Sequence, residues 1–552
     1  MSPQGLTTYN QPVVLFHFSS RFYRAWVISL AWIGVAVCAA HGQGPPAAEG
    51  SKSGQDRILL VLPFDNRTGQ PNLEWIREAA PEILGARFDS AGFETMSRPD
   101  RMYALDHLGL PQQFQPSRAS SLKLAQTLDA DSIIVGSYRT EGTGIVAEAQ
   151  VVNVPHLRMS EAVTAQGEMR DLISVLDSLA WKLTRVMDPN FNVVQETFVA
   201  AGAGLRLDAF EQYIRGISEP DQQERLRHLK QSVALSPNFG PAWMALGRED
   251  FNSQQYEEAA AAFAKVTRND PDSLEAGFYR GLSLLFSGSY AKAEEAFSGV
   301  ARILPLAEVL NNQAVAVSRQ GHDGTGLFVQ AAAADPNAAD YHFNLALSLK
   351  RHGTYAGALN ELNQCLKLRP TDVEAQQLLA AWKLQRVSTD QDMSSEALER
   401  IVRTFDAGAF RQAALMMDQM EASRLAALTP HDRAVKLSGQ AKGYLDRGLL
   451  LEAERLYLAA VADDDAVAAA HAGLAAVRER TGDAVSARSE ANQALKLAPS
   501  VDAYLVLGRL DLAANHMDEA SKEIGAALKL DPGSQPAQEL SRQIEARTGR
   551  NQ

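Results

Sequence analysis

Apolar positions are spaced in two ways along this chain. Between residues 57 and 190 short continuous runs alternate with helical stripes. Ile58, Leu59, Leu60, Val61 and Leu62 form an unbroken apolar run, the pattern of a strand covered on both faces. Leu73, Ile76, Ala80, Ile83, Leu84 and Phe88 then recur at helical spacing. Residues 93–96 read as a short strand, residues 121–128 as a helix, and Ile133, Ile134 and Val135 as a second buried strand. Ile145, Ala147, Ala149 and Val151 alternate, which predicts a hairpin turning at residues 141–144. The stripe Leu172, Val175, Leu176, Leu179, Leu183 and Val186 predicts a closing helix. Strands and helices in this order imply a small layered α/β domain.

From about residue 206 the spacing becomes helical and repeats itself. Pro237, Pro271 and Pro305 are 34 residues apart, and Pro336 and Pro370 continue the series. Asp465, Pro499 and Pro532 resume it further on. Eight residues before these marks stand Leu229, Phe263, Phe297, Phe328, Leu362, Tyr457, Ala491 and Ile524; twelve before several of them stands Ala. Small residues let two helices approach, the large one fills the space beside them, and Pro ends the second helix. This pattern resembles the tetratricopeptide repeat, over about residues 207–550. The fold expected is mainly α: a right-handed tetratricopeptide α-solenoid of helix-turn-helix repeats, preceded by the small α/β domain in two or three layers. Repeats are expected over 206–372 and over 434–552, the latter ending in a capping helix. Between them, at 373–433, the register is lost. Divergent helical repeats are expected there, with residues 397–420 helical and Gly408 and Ala413 at a turn and a contact site.

The α/β domain carries a second likeness. Leu62, Pro63, Phe64, Asp65 and Asn66, the following helix, and the stretch from Ala130 to Arg139 resemble the amino-terminal domain of TolB-type proteins. That likeness implies an assembly or regulatory role in a bacterial envelope and brings no catalytic residues. Asp65 and Asn66 read as turn-capping side chains.

The amino-terminal region bears on location. Arg21 and Arg24 precede an uncharged apolar run at residues 25–40. It is shorter than the ~20 residues a spanning helix needs and ends in small residues, which describes an export signal cleaved before Gln43 or an uncleaved anchor. Residues 1–42 are thus a signal or anchor, 43–56 a Gly/Pro/Ser linker, and 191–205 a second linker. The expected location is exported, periplasmic or envelope-associated.

Composition narrows the chemistry. The 552 residues carry a formal net charge of −13, and no basic stripe is present to neutralise phosphates, which argues against nucleic acid as partner. Two cysteines, Cys38 and Cys365, exclude a disulfide framework and a cysteine-based zinc site. The cluster at residues 321–326 lacks the Lys-Ser/Thr ending of a phosphate loop and falls at a turn between repeat helices. The histidines lack metal spacing, His342 and His471 occupy equivalent packing positions, and no catalytic set is found. The reading is therefore no enzyme, no cofactor and no metal.

Recognition is the chemistry that remains. In this architecture the first helices line a concave groove. By register its residues are Met244, Arg248, Phe251, Phe278, Leu282, Asn344, Lys350, Lys442 and Arg509. Some tetratricopeptide domains grip a terminal carboxylate with Lys and Asn at set positions. Asn344 matches one, whereas Phe278 and Phe343 stand where the Lys would be. The groove expected is mixed and partly apolar, suited to a helical or extended segment of another protein. A scaffold or adaptor is the leading reading. A regulatory or sensory module, or an enzyme with an unrecognised site in the α/β domain, are the alternatives.

Overall fold

The computed structural model describes residues 58–111, 117–200, 202, 204–384 and 397–548. The signal or anchor and the linker at 43–56 lie outside these described residues.

The α/β domain is built on strands β1 (Ile58–Val61), β2 (Asp65–Asn66), β3 (Glu94–Thr95), β4 (Ser132–Glu141), β5 (Gly144–Asn153), β6 (Arg158–Met159) and β7 (Val163–Glu168). They form one sheet in the order β3-β1-β4-β5-β6, with β2 on β4 and β7 on β5. β1 pairs in parallel with β3 and β4. β4 and β5 form the long antiparallel hairpin, with Glu141 facing Gly144 at its turn. Alternation along β1 divides the core. Leu59 and Val61 join the cluster under helices α1 (Ile76–Ser90) and α4 (Leu172–Met187). Leu60 and Leu62 join the other cluster, under α2 (Arg98–His107) and α3 (Arg118–Thr127). Helices on both faces make three layers. The Asn66 side chain accepts from the Thr68 N–H at 3.0 Å, so it caps the local turn.

Helix α5 (Gln195–Ala200) leads into the solenoid. Its helices then pair: α6 (Leu207–Ser218) with α7 (Gln222–Leu235), α8 (Gly240–Asn252) with α9 (Tyr256–Phe263), and α10 (Ser273–Phe286) with α11 (Tyr290–Ala301). α12 (Ala307–Arg319) pairs with α13 (Thr325–Ala334), and α14 (Ala339–Arg351) with α15 (Tyr355–Leu368). After α16 (Val373–Leu384) and α17 (Ala407–Ala426), the pairs are α18 (Pro430–Asp446) with α19 (Leu450–Asp463), α20 (Ala468–Arg480) with α21 (Ala484–Leu497), and α22 (Val501–Ala513) with α23 (Met517–Leu530). α24 (Gln535–Thr548) packs on the last pair as an end helix.

Two repeated devices explain the periodic residues. A glycine on a first helix receives the large side chain of its partner helix: a Cβ at Gly247 would lie 2.7 Å from the Phe263 ring, and one at Gly281 2.7 Å from the Phe297 ring. The second device caps the turn between units. At five of the eight marks, the side chain six residues further on meets the carbonyl of the mark itself. Trp243 does so to Pro237 at 2.8 Å, Gln376 to Pro370 at 2.6 Å and Gln538 to Pro532 at 2.7 Å. His342 and His471 fill the same place, with Nε2 at 3.1 and 2.9 Å from the carbonyls of Pro336 and Asp465. Their Nδ1 atoms face Glu361 and Glu490 at 2.6 and 2.7 Å.

The solenoid curls back on the α/β domain. Leu451 of α19 joins the same buried cluster as α1, α4 and α6. The Arg455 guanidinium donates to the Ser90 carbonyl at 2.6 Å; within the solenoid, Asn269 donates to the Arg447 carbonyl at 3.0 Å.

The helical stretch expected over 397–420 is corrected in its first part. Residues 397–406 are not helical; α17 begins at Ala407, with Asp406 accepting from the Ala409 N–H as its cap. Gly408 therefore lies in the first turn of that helix. The physical reason is that the main chain at Arg400 and Val402 bonds to side chains of the solenoid and not to its own neighbours.

Candidate functional site

Residues 398–406 run as a strap across helices α12 and α14. Three asparagines on those helices meet its main chain. The Asn344 side chain accepts from the Arg400 N–H at 2.7 Å and donates to the Arg400 carbonyl at 2.7 Å. Asn312 repeats the arrangement on Val402, accepting at 3.0 Å and donating at 2.7 Å. Asn311 donates to the Arg400 carbonyl at 3.0 Å and accepts from Asn344 at 2.8 Å. A carboxamide offers one donor group and one acceptor in a plane, as a peptide group does. Pairing with every second residue is the pattern of an extended chain, whose alternate N–H and C=O groups face one side. These contacts read the backbone and are indifferent to side-chain identity. All three asparagines are fully buried, so their hydrogen-bonding groups depend on the strap for partners.

Side chains of the strap make contacts of their own on either side. The Arg400 guanidinium forks onto Asp372 at 2.6 and 2.9 Å, and reaches Asp340 at 2.9 Å and Glu374 at 3.0 Å. It also lies over the Phe343 ring, 3.6 Å from the centroid, where the ring's negative face attracts a cation. Hydrogen bonds from Arg400 hold the Asp372 carboxyl below the usual carboxylate range. Burial alone would raise Asp340, but bonds from Arg369 and Arg400 outweigh it and the net shift is downward.

Glu399 points into a pocket of opposite sign. It accepts from Ser318 at 2.6 Å, pairs with Arg351, and lies 3.3 Å from Arg319. Burial raises its carboxyl, and the bonds from Ser318 and Arg351 bring the net shift below the ordinary value. Further on, Ile401, Val402 and Phe405 pack against the apolar cluster of α10 to α14. Phe405 sits 5.5 Å from Phe278, ring to ring. The Asp406 N–H donates to Glu308 at 3.0 Å. Glu308 is raised by burial, which that bond only partly offsets.

The nine groove residues expected from register fall in different surroundings. Phe278, Leu282 and Asn344 are brought together under the strap. Met244 is 1% exposed and packs with Ala259, Phe263 and Ala276 inside the repeat. Arg248 donates to Glu275 at 2.7 Å. Phe251 stacks edge-on to Tyr256 and Tyr279, each 5.6 Å away. Lys350 lies over the Trp382 ring at 5.0 Å. Lys442 and Arg509 belong to the second stretch of repeats, paired with Asp446 at 3.4 Å and with Glu479 at 2.5 and 2.6 Å.

Register reasoning missed Asn311, Asn312, Ser318, Arg319, Arg351, Asp340, Asp372 and the strap. One signal was available. Glu399, Arg400, Ile401, Val402, Arg403, Thr404 and Phe405 are rich in β-branched and aromatic residues, which favour an extended chain.

Among the described residues no group of three or more His, Cys, Asp or Glu side chains is arranged to hold a metal, and no helix is long and apolar enough to cross a membrane.

Comparison with known proteins gives several similar solved structures. A solved structure of MamA from Desulfovibrio magneticus RS-1, residues 41 to the end, is 20% identical, covering 31% of this chain and 99% of that one at a TM-score of 0.28. YrrB, described as a tetratricopeptide protein with an unusual peptide-binding site, is 16% identical over 33% of this chain and 96% of its own, with a TM-score of 0.29. The LpoB C-terminal domain from Salmonella enterica is 20% identical over 21% of this chain and 84% of its own, with a TM-score of 0.19. Scores this low carry no argument about binding. No curated protein matches the chain. The tetratricopeptide repeat family profile matches residues 244–308 and 319–373, the repeats that hold the strap, and with the paired-helix architecture this establishes that the chain carries a tetratricopeptide-repeat solenoid.

Proposed function

We propose that this protein is a non-enzymatic scaffold of the bacterial cell envelope whose first stretch of repeats binds extended segments of partner proteins. One observation carries the reading: Asn312 and Asn344 each close two hydrogen bonds on the main chain of an extended segment, at alternate residues. A surface that reads backbone this way has the chemistry of peptide recognition, in which main-chain bonds give affinity and side pockets give selectivity. The α/β domain, with its likeness to TolB-type amino-terminal domains, is assigned to docking on an envelope component. The apolar run at 25–40 is assigned to export. Neither role requires a catalytic group.

Site-specific photo-crosslinking in the native host tests this. A photoreactive residue replaces Arg248 or Arg403, beside the groove, and Val485, which is 83% exposed on α21. The expected result is adducts with envelope proteins from the groove positions and not from Val485. Equal adducts from all three, or adducts with cytoplasmic proteins only, would overturn the proposal.

A further inference from the structure

The strap has the character of a bound ligand more than of a core element. Its main-chain bonds at Arg400 and Val402 go to side chains of α12 and α14. Leu398, Arg403, Thr404 and Asp406 are exposed. Beneath it, the helix pairs are already closed by their own contacts, such as Phe297 against Gly281. The pockets are charge-matched in sequence: Arg319 and Arg351 around Glu399, then Asp340, Asp372 and Glu374 around Arg400. An apolar site for Phe405 follows.

We propose that residues 399–405 are a cis-bound occupant of the groove. A partner's extended segment of the same chemistry displaces them: an acid, then arginine, two aliphatic residues, and an aromatic three positions later. The inference rests on the peptide-binding reading above and adds the ligand's signature and the autoinhibition. Tethering sets the difficulty of displacement. A segment attached to the same chain acts at an effective concentration on the order of 1 mM. A free segment of equal intrinsic affinity at about 1 μM is then outcompeted about 1,000-fold. A partner must bind better or meet a weakened strap.

The test uses the full chain and a fluorescent peptide with the sequence of residues 397–406. Binding is followed by anisotropy to wild type and to the double variant Arg400→Ala/Phe405→Ala, which empties both anchor pockets. The double variant is expected to bind the probe at least about 100-fold more tightly than wild type. Adding Asn312→Ala and Asn344→Ala should weaken that binding at least tenfold, and a probe with alanine at its arginine and phenylalanine should not bind. Three results would each overturn the inference: no probe binding by a double variant whose repeats remain folded by circular dichroism, wild-type binding as tight as the variant's, or binding unaffected by the asparagine changes. Should the double variant fail to fold, Arg400→Lys keeps the charge, loses the fork, and is judged by the same criteria. Crosslinks to envelope proteins at the groove without probe binding would leave the scaffold reading standing and remove this one alone.

Discussion

Gly281→Ala should destabilise the repeat that carries Phe278, although alanine is the better helix former. A Cβ at Gly281 would sit 2.7 Å from one Phe297 ring atom and 2.8 Å from two others. Favourable carbon contacts lie at about 3.5–4.0 Å, so something must move by about 1 Å. Phe297 is fully buried and its ring is held edge-on by Phe278 at 5.9 Å. Overpacking of this kind costs about 1–3 kcal/mol, and the helix-propensity gain returns at most about 1 kcal/mol. With the whole propensity gain subtracted, the net expectation is a loss of up to about 2 kcal/mol. Gly299→Ala is the matched control. It lies on the partner helix of the same repeat, and nothing lies within 4 Å of its Cβ. It should gain about 0.5–1 kcal/mol. A solenoid need not unfold in one step, so local hydrogen exchange of residues 273–301, read by mass spectrometry, is the suitable measurement. The double variant Gly281→Ala/Phe297→Leu should lose less than the sum of its parts by at least about 0.5 kcal/mol. Equal or increased protection in Gly281→Ala would refute the claim that this glycine exists to admit the ring.

Three further outcomes are expected. Asp177 is 1% exposed beside Arg87 at 2.9 Å, and burial pushes its carboxyl up to about 6 from 3.8. Because the folded value is raised, its contribution is fully present below pH 3.8 and is lost as pH rises through 6. That is worth about 3 kcal/mol at 1.36 kcal/mol per unit, and Asp177→Asn should flatten this part of the stability-versus-pH curve in chemical denaturation. Arg455→Ala removes a charged donor from the Ser90 carbonyl and should cost about 1.5–3 kcal/mol, seen as faster exchange in both α19 and the end of α1. Exchange unchanged at residues 88–92 would count against the closure. Cys365 is fully buried, and burial raises its thiol to about 11. Alkylation at pH 8, located by peptide mapping, should therefore reach it only in denaturant.

The candidate site was partly legible before the fold was known. Asn344, Phe278 and Leu282 were found because register alone places them on the concave side of first helices. Asn311 and Asn312 were not. Asn312 stands seven residues after Pro305, as Phe278 does after Pro271; its register was readable, but no local pattern marks the strap main chain that it meets. Met244 has the right register for a first helix, yet its side chain turns inward against Phe263.

Local patterning determined what rests on local causes. The alternating and continuous apolar runs dictated a three-dimensional sheet core from Leu59 to Val151. The 34-residue spacing of Pro, Gly, Ala and aromatic residues dictated paired helices, because each device acts within one repeat or between adjacent ones. Tertiary structure alone decided the path of residues 397–406 and the return of α19 to the α/β domain. Both depend on partners far away in sequence: Val402 meets Asn312 across 90 residues and Arg455 meets Ser90 across 365. No periodicity records such a meeting, since it depends on the accumulated rotation from repeat to repeat. The asparagines and the acidic and basic pockets share one surface with the strap because residues 398–406 cross the helices of adjacent repeats.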